Sequence, residues 1–164
     1  MLKTIVNFLL FVSISSSSAQ DDIAFPDTYT FEEIKKLQQN DERPIVVFIH
    51  TDWCKFCFAM KKNTFTSKNI IEKLNTSFYF IMLDAEYKKD IIFYDQTFRY
   101  KPTGLNTGIH ELAETLGDKN GQINYPLTAI LNPNRNIDAQ FDTFLAKEEL
   151  LKILSEYEKL NTKN

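Results

Sequence analysis

The sequence predicts an α/β fold built as one domain, and three observations carry that prediction. Apolar runs rich in β-branched or aromatic side chains recur at 45–49, 78–83 and 127–131, each with the pattern of a strand. Segments with apolar residues at helical spacing precede, separate and follow them. The only two cysteines, Cys54 and Cys57, follow the first run and open a helical pattern through Ala59, Met60, Lys61 and Lys62.

Before the domain comes a segment that reads as a secretory signal at 1–19. Lys3 supplies a positive start, Ile5 to Ile14 is an apolar stretch interrupted by Asn7, and Ser15 to Ala19 is a run of small residues. Cleavage after Ala19 would leave Gln20 at the new terminus. The apolar core falls well short of the ~20 residues that span a bilayer, so a retained anchor is the weaker reading. No cysteine follows it, which excludes a lipid on an N-terminal cysteine. A lead-in at 20–29 and one domain at 30–164 complete the predicted organisation.

Taking Lys3 from the 19 basic residues leaves 18 against 22 acidic ones, a net charge of −4. With no basic block, a nucleic-acid surface is not expected. Lys61-Lys62 and Lys88-Lys89 read as solvated faces. A secreted domain that leans on disulfides for stability carries several cysteines at wide spacing, whereas this one has a single close pair. So short a loop constrains the unfolded chain little. The pair therefore reads as chemical rather than structural.

Thr30-Phe31-Glu32-Glu33 has the form of a capping box opening a helix whose face is Phe31, Ile34 and Leu37, ended by Asn40-Asp41 and Pro44. Ile45 to Ile49 reads as a strand buried on both faces. The helix after the cysteines loosens at Asn63-Thr64-Phe65 and resumes after Thr66-Ser67 with Ile70, Ile71 and Leu74. Between 84 and 108 a hairpin of Ile91–Tyr94 and Thr97–Tyr100 is expected across Asp95-Gln96, although no glycine favours that turn. Ile109, Leu112, Ala113 and Leu116 mark a short helix with Gly117 placed as its C-terminal cap. After Leu127–Leu131, the turn residues Asn132 to Asn136 return Ile137–Phe144 as an antiparallel neighbour. A final helix carries Leu150, Ile153, Leu154, Tyr157 and Leu160 on one stripe.

From Thr30 to Leu160 this order resembles the thioredoxin-like superfamily: a buried strand ending in Trp53-Cys54-Lys55-Phe56-Cys57, then helix, strand, helix, a proline-led strand, a hairpin partner and a closing helix. Asp52 through Cys57 followed by Lys62-Asn63-Thr64-Phe65 is most similar to secreted thioredoxin-like domains such as the soluble C-terminal domain of the transmembrane disulfide reductase DsbD. The resemblance implies a central mixed β-sheet flanked by helices, with 84–108 as an insertion. It also implies export across the inner membrane, to the periplasm or alternatively the extracellular space.

By that resemblance Cys54 is the nucleophile and Cys57 the resolving thiol, a redox-active disulfide that needs no other cofactor. Helix-terminal N–H groups favour a thiolate at Cys54. Trp53 and Phe56 are candidate substrate contacts, each with packing against the body as the alternative. Lys55 favours the Cys54 thiolate and Asp52 opposes it, so their sum has no sign from sequence. Pro126 matches the family's cis-proline opposite the cysteines, which places Tyr125 beside them, with a backbone able to pair with an extended substrate. Two departures stand out. Leu127 follows the proline where a threonine is common, and Phe48 stands six residues before Cys54 where the family buries an acid that helps deprotonate the second cysteine.

Rival readings are weaker. A structural zinc site needs four ligands and the sequence offers two cysteines with His50 and His110. Cys-His hydrolysis leaves the second thiol without a role. A binding or chaperone module is favoured by the aromatic insertion with Tyr87, Phe93, Tyr94, Phe98 and Tyr100, which either completes a local core or marks a partner surface. The expected activity is an extracytoplasmic thiol-disulfide oxidoreductase, a reductase rather than an oxidase or isomerase. Its expected partners are protein disulfides or dithiols and a membrane-bound electron donor, with the protein itself a monomer.

Overall fold

The computed structural model describes residues 24–118 and 122–161. The 1–19 signal segment and the first part of the lead-in lie outside them. Four strands form the central sheet in the order β2-β1-β7-β8. β1 (Ile45–His50) pairs parallel with β2 (Tyr79–Asp84) and antiparallel with β7 (Leu127–Leu131), which in turn pairs with β8 (Ile137–Phe141). This is the mixed sheet the resemblance implies. All six residues of β1 are buried, as expected of a strand with helices on both faces.

α1 (Phe31–Leu37) begins with the predicted capping box: the Glu33 N–H donates to Thr30 Oγ1 and the Thr30 N–H to Glu33 Oε2. Its Phe31 and Ile34 pack on one face of the sheet with Val47, Ile49, Ile81 and Leu83. α2 (Lys55–Asn63), α3 (Lys68–Ser77) and α5 (Lys147–Asn161) cover the other face, over Val46, Phe48, Phe80 and Ile130. β1 alternates between the two cores, so neighbouring residues serve opposite layers. Glu158 on α5 accepts from Lys73 and Ser77 on α3 at 2.7 and 2.5 Å, tying those helices together.

The insertion folds as two small hairpins, β3 (Ile91–Phe93) with β4 (Gln96–Phe98) and β5 (Tyr100–Pro102) with β6 (Gly108–His110). The first turns one residue earlier than expected, at Tyr94-Asp95. Phe93 pairs with Gln96, and Ile91 faces Phe98 with both side chains buried. Tyr94 adopts φ +56°, held by the Phe93 ring at 5.1 Å and by the Arg135 guanidinium 4.1 Å over its face. Phe93 also meets Phe31 edge-on at 5.1 Å. Phe93 and Phe98 thus complete a local core, while Tyr87 is exposed.

Three local expectations are corrected. Ile109 belongs to β6 rather than to the following helix: α4 (Glu111–Gly117) starts later, capped by His110 Nδ1, which accepts from the Leu112 N–H at 3.2 Å. Gly117 is the last residue of α4 and not its left-handed cap; it is needed for space, since a Cβ there would meet Ile123 and Leu127 at 3.3 Å. Leu160 is 69% exposed. At about 100° per residue it falls roughly 80° from Leu150 around the helix, so the buried stripe of α5 ends at Tyr157.

Candidate functional site

β1 ends at the buried His50, a turn through Asp52 and Trp53 follows, and Cys54 caps α2. The Cys57 N–H donates to Cys54 Sγ at 3.0 Å, while the Cys54 N–H donates to Thr51 O. Sulfur takes the place that an oxygen holds in an ordinary N-cap. Cys54 and Cys57 form a disulfide, S–S 2.02 Å with Cα atoms 5.2 Å apart. Cys54 is 6% exposed and Cys57 1%, so an incoming group reaches Cys54 first.

Pro126 follows a cis peptide bond from Tyr125 and opens β7. The antiparallel β1–β7 pairing, with Ile49 opposite Leu127, brings this bond to the same end of the sheet as the cysteines. There the Trp53 indole meets the Tyr125 ring edge-on at 5.9 Å and donates from Nε1 to Glu86 at 3.2 Å. Burial, with the Glu86 and Asp84 carboxylates adding to it, pushes the Tyr125 hydroxyl up to about 12, so the phenol stays protonated. Trp53 and Phe56 adjoin the cysteines along the chain and are 65% and 66% exposed, Tyr125 packs against the cluster that holds both cysteines, and Pro126 follows it.

Sequence reasoning missed three neighbours. Phe58 is 67% exposed four residues after Cys54, on the helix side where i and i+4 residues adjoin; its apolar side chain off the buried stripe was the available signal. Glu86 bonds Trp53, a contact between loops that no spacing reveals. Lys61 Nζ lies 3.1 and 3.3 Å from the two ring nitrogens of His50. His50 therefore serves the cysteine end of the sheet, whereas His110 is tied to α4 and donates from Nε2 to Lys89 O.

Phenylalanine rings fill the place of the expected buried acid. Phe48 is fully buried and its ring meets Phe65 at 4.8 Å, which in turn lies 4.9 Å from Phe80. No group of three or more histidine, cysteine or acidic side chains suited to a metal ion occurs among the described residues, and no helix among them is long and apolar enough to cross a membrane.

Among solved structures, DsbH oxidoreductase is similar with a TM-score of 0.57 at 14% identity, covering 91% of this chain and 96% of that one. A thioredoxin from Thermus thermophilus gives 0.58 at 18% identity, covering 82% and 88%. A disulphide isomerase from Xylella fastidiosa Temecula1 gives 0.52 at 12% identity, covering 90% and 99%. At such identities the likeness is one of fold. No curated protein sequence matches. The family model described as a thioredoxin-like domain matches residues 30–157, nearly the whole described chain, and the protein belongs to that family.

Proposed function

We infer that this protein is a thiol-disulfide oxidoreductase that works outside the cytoplasm, reducing protein disulfides. The observation that carries this reading is the Cys54–Cys57 disulfide at the start of α2, with the more exposed sulfur accepting a backbone N–H. In the reduced protein that N–H and the helix dipole favour a Cys54 thiolate. The thiolate attacks a substrate disulfide, forming a mixed disulfide and expelling one substrate thiolate. Cys57 loses its proton and attacks Cys54, restoring the intramolecular disulfide and releasing the second substrate sulfur. Two electrons pass from the dithiol to the substrate, and a membrane-bound donor of the same chemistry restores them.

Trp53, Phe56 and Tyr125 form the apolar surround that a protein segment would cover, and the backbone before Pro126 offers pairing to an extended chain. The disulfide itself is the redox group and no further cofactor is required. Export rests on the signal-like 1–19 segment. The exposed Trp53, Phe56 and Phe58 also suit a binding or chaperone module with little redox turnover. Cys57→Ser separates the readings. A thiol-exchange protein accumulates mixed disulfides on Cys54 in extracts, whereas a folded variant that traps nothing supports the binding module. Direction follows from the reduction potential: a value near −120 mV would make the protein an oxidase, and one near −270 mV a reductase.

A further inference from the structure

We propose that His50, held by Lys61, accepts the proton that Cys57 gives up when it attacks Cys54, replacing the buried acid whose position Phe48 fills. The inference rests on the thiol-exchange reading above. His50 is the last residue of β1, two after Phe48 and so on the same face of the strand, the face that α2 covers with Cys57 and Met60. Its ring is 7% exposed and stacks on Phe48, centroids 5.7 Å apart. Lys61 stands four residues after Cys57, one turn further along the same side of α2. Its ammonium reaches back to the imidazole at 3.1 Å. Lys61 therefore joins the imidazole to the side of α2 that carries Cys57.

The Lys61 ammonium lies at nearly the same distance from both ring nitrogens, 3.1 and 3.3 Å, and a positive charge so close favours the neutral ring. Burial and the Lys61 charge both lower the His50 pKa, while Asp84 and Asp52 oppose them. Asp84 pairs with His50 across β1 and β2, and Asp52 sits in the turn before the cysteines. One lysine and two carboxylates, the exposed Asp52 and the half-buried Asp84, around a neutral imidazole carry a net −1. Taking up one proton brings the cluster to zero rather than building positive charge.

The step balances. The Cys57 S–H proton passes to the imidazole, where it displaces the Lys61 hydrogen bond. The Cys57–Cys54 bond forms as the Cys54–substrate bond breaks, and the leaving sulfur takes the electron pair. The imidazolium, beside an ammonium, returns its proton to that thiolate or to water.

Stopped-flow reaction of the reduced protein with 5,5′-dithiobis(2-nitrobenzoate) tests this. The first thionitrobenzoate reports attack by Cys54 and the second reports attack by Cys57. In His50→Gln the second release should slow by about 10²-fold near neutral pH, with its acid limb moved up to the titration of the Cys57 thiol itself, while the first release is unchanged. A second release with wild-type rate and pH profile overturns the proposal. Lys61→Met provides an independent measurement, which decides the matter if His50→Gln does not fold. Removing the ammonium raises the imidazole pKa, so the acid limb of the second release should move to higher pH, and an unmoved limb overturns the proposal. Failure of the reduced wild type to release any thionitrobenzoate would instead overturn the thiol-exchange reading and this proposal with it.

Discussion

The Trp53 indole and the Tyr125 ring meet edge to face at 5.9 Å, joining the residue before the first cysteine to the residue before the cis proline. An aromatic pair in this geometry contributes about 0.5–1.5 kcal/mol beyond its area. Trp53→Ala and Tyr125→Ala should therefore each lower kcat/KM on a protein disulfide. A double-mutant cycle should show coupling of about that size. Reduction of a small aromatic disulfide, which needs no extended surface, should change much less. Equal losses on both substrates would assign the pair to holding the cysteines rather than to binding.

Phe48 gives a second prediction. Restoring the family's acid by Phe48→Asp should not speed the reaction, because the carboxylate would sit buried between the Phe65 ring and the His50 ring that already serves as acceptor and lose its hydration. Phe48→Ala should cost about 3–5 kcal/mol in denaturant unfolding, and Phe48→Asp at neutral pH should cost more. A stable and faster Phe48→Asp protein would show that the phenylalanine cluster is dispensable.

Gly117→Ala should destabilise the fold by about 1 kcal/mol. The methyl would press on Ile123 and Leu127 at 3.3 Å, an overpacking cost of roughly 1–3 kcal/mol that the better helix propensity of alanine offsets in part. Leu127 follows Pro126, so the strain reaches the substrate side of the site. Urea unfolding gives the first effect, and KM on a protein disulfide gives the second.

Stability should fall with acidification in a way that depends on His110. Burial, the dominant cause, holds its pKa below the ordinary value, so the folded state resists a proton that the unfolded chain accepts near pH 6.5. The unfolded state binds more protons in that window. The contribution is therefore present above about pH 6.5 and is lost as pH falls below it toward the folded pKa. His110→Asn, which keeps an acceptor at the α4 cap, should lose less stability between pH 7.5 and 5 than wild type. Equal losses in the two proteins would remove His110 from the account.

The central sheet was readable because β1, β2 and β7 are almost uniformly apolar, a pattern that survives any detail of packing. The redox pair was readable because two thiols at that spacing have few other uses. What escaped was set by tertiary geometry. The Tyr94-Asp95 turn depends on the Phe93 and Arg135 contacts that hold a tyrosine at positive φ. The role of Gly117 depends on Leu127 and Ile123, residues distant from its own helical turn. Leu160 fits the heptad-like spacing yet rotates away from the core. His50 and Lys61 each read as ordinary polar residues until β1 and α2 are packed together.

All six residues of β1 are buried between two helical layers and paired on both sides, and the cysteines follow directly from its end. Its amide protons should exchange with solvent only when the whole domain opens, whereas the two small hairpins can exchange through local fluctuation. The disulfide therefore sits at the start of α2, a short turn beyond the end of a fully buried strand. Bond making and breaking at Cys54 thus take place at the rim of the buried sheet, beside the exposed rings of Trp53, Phe56 and Phe58.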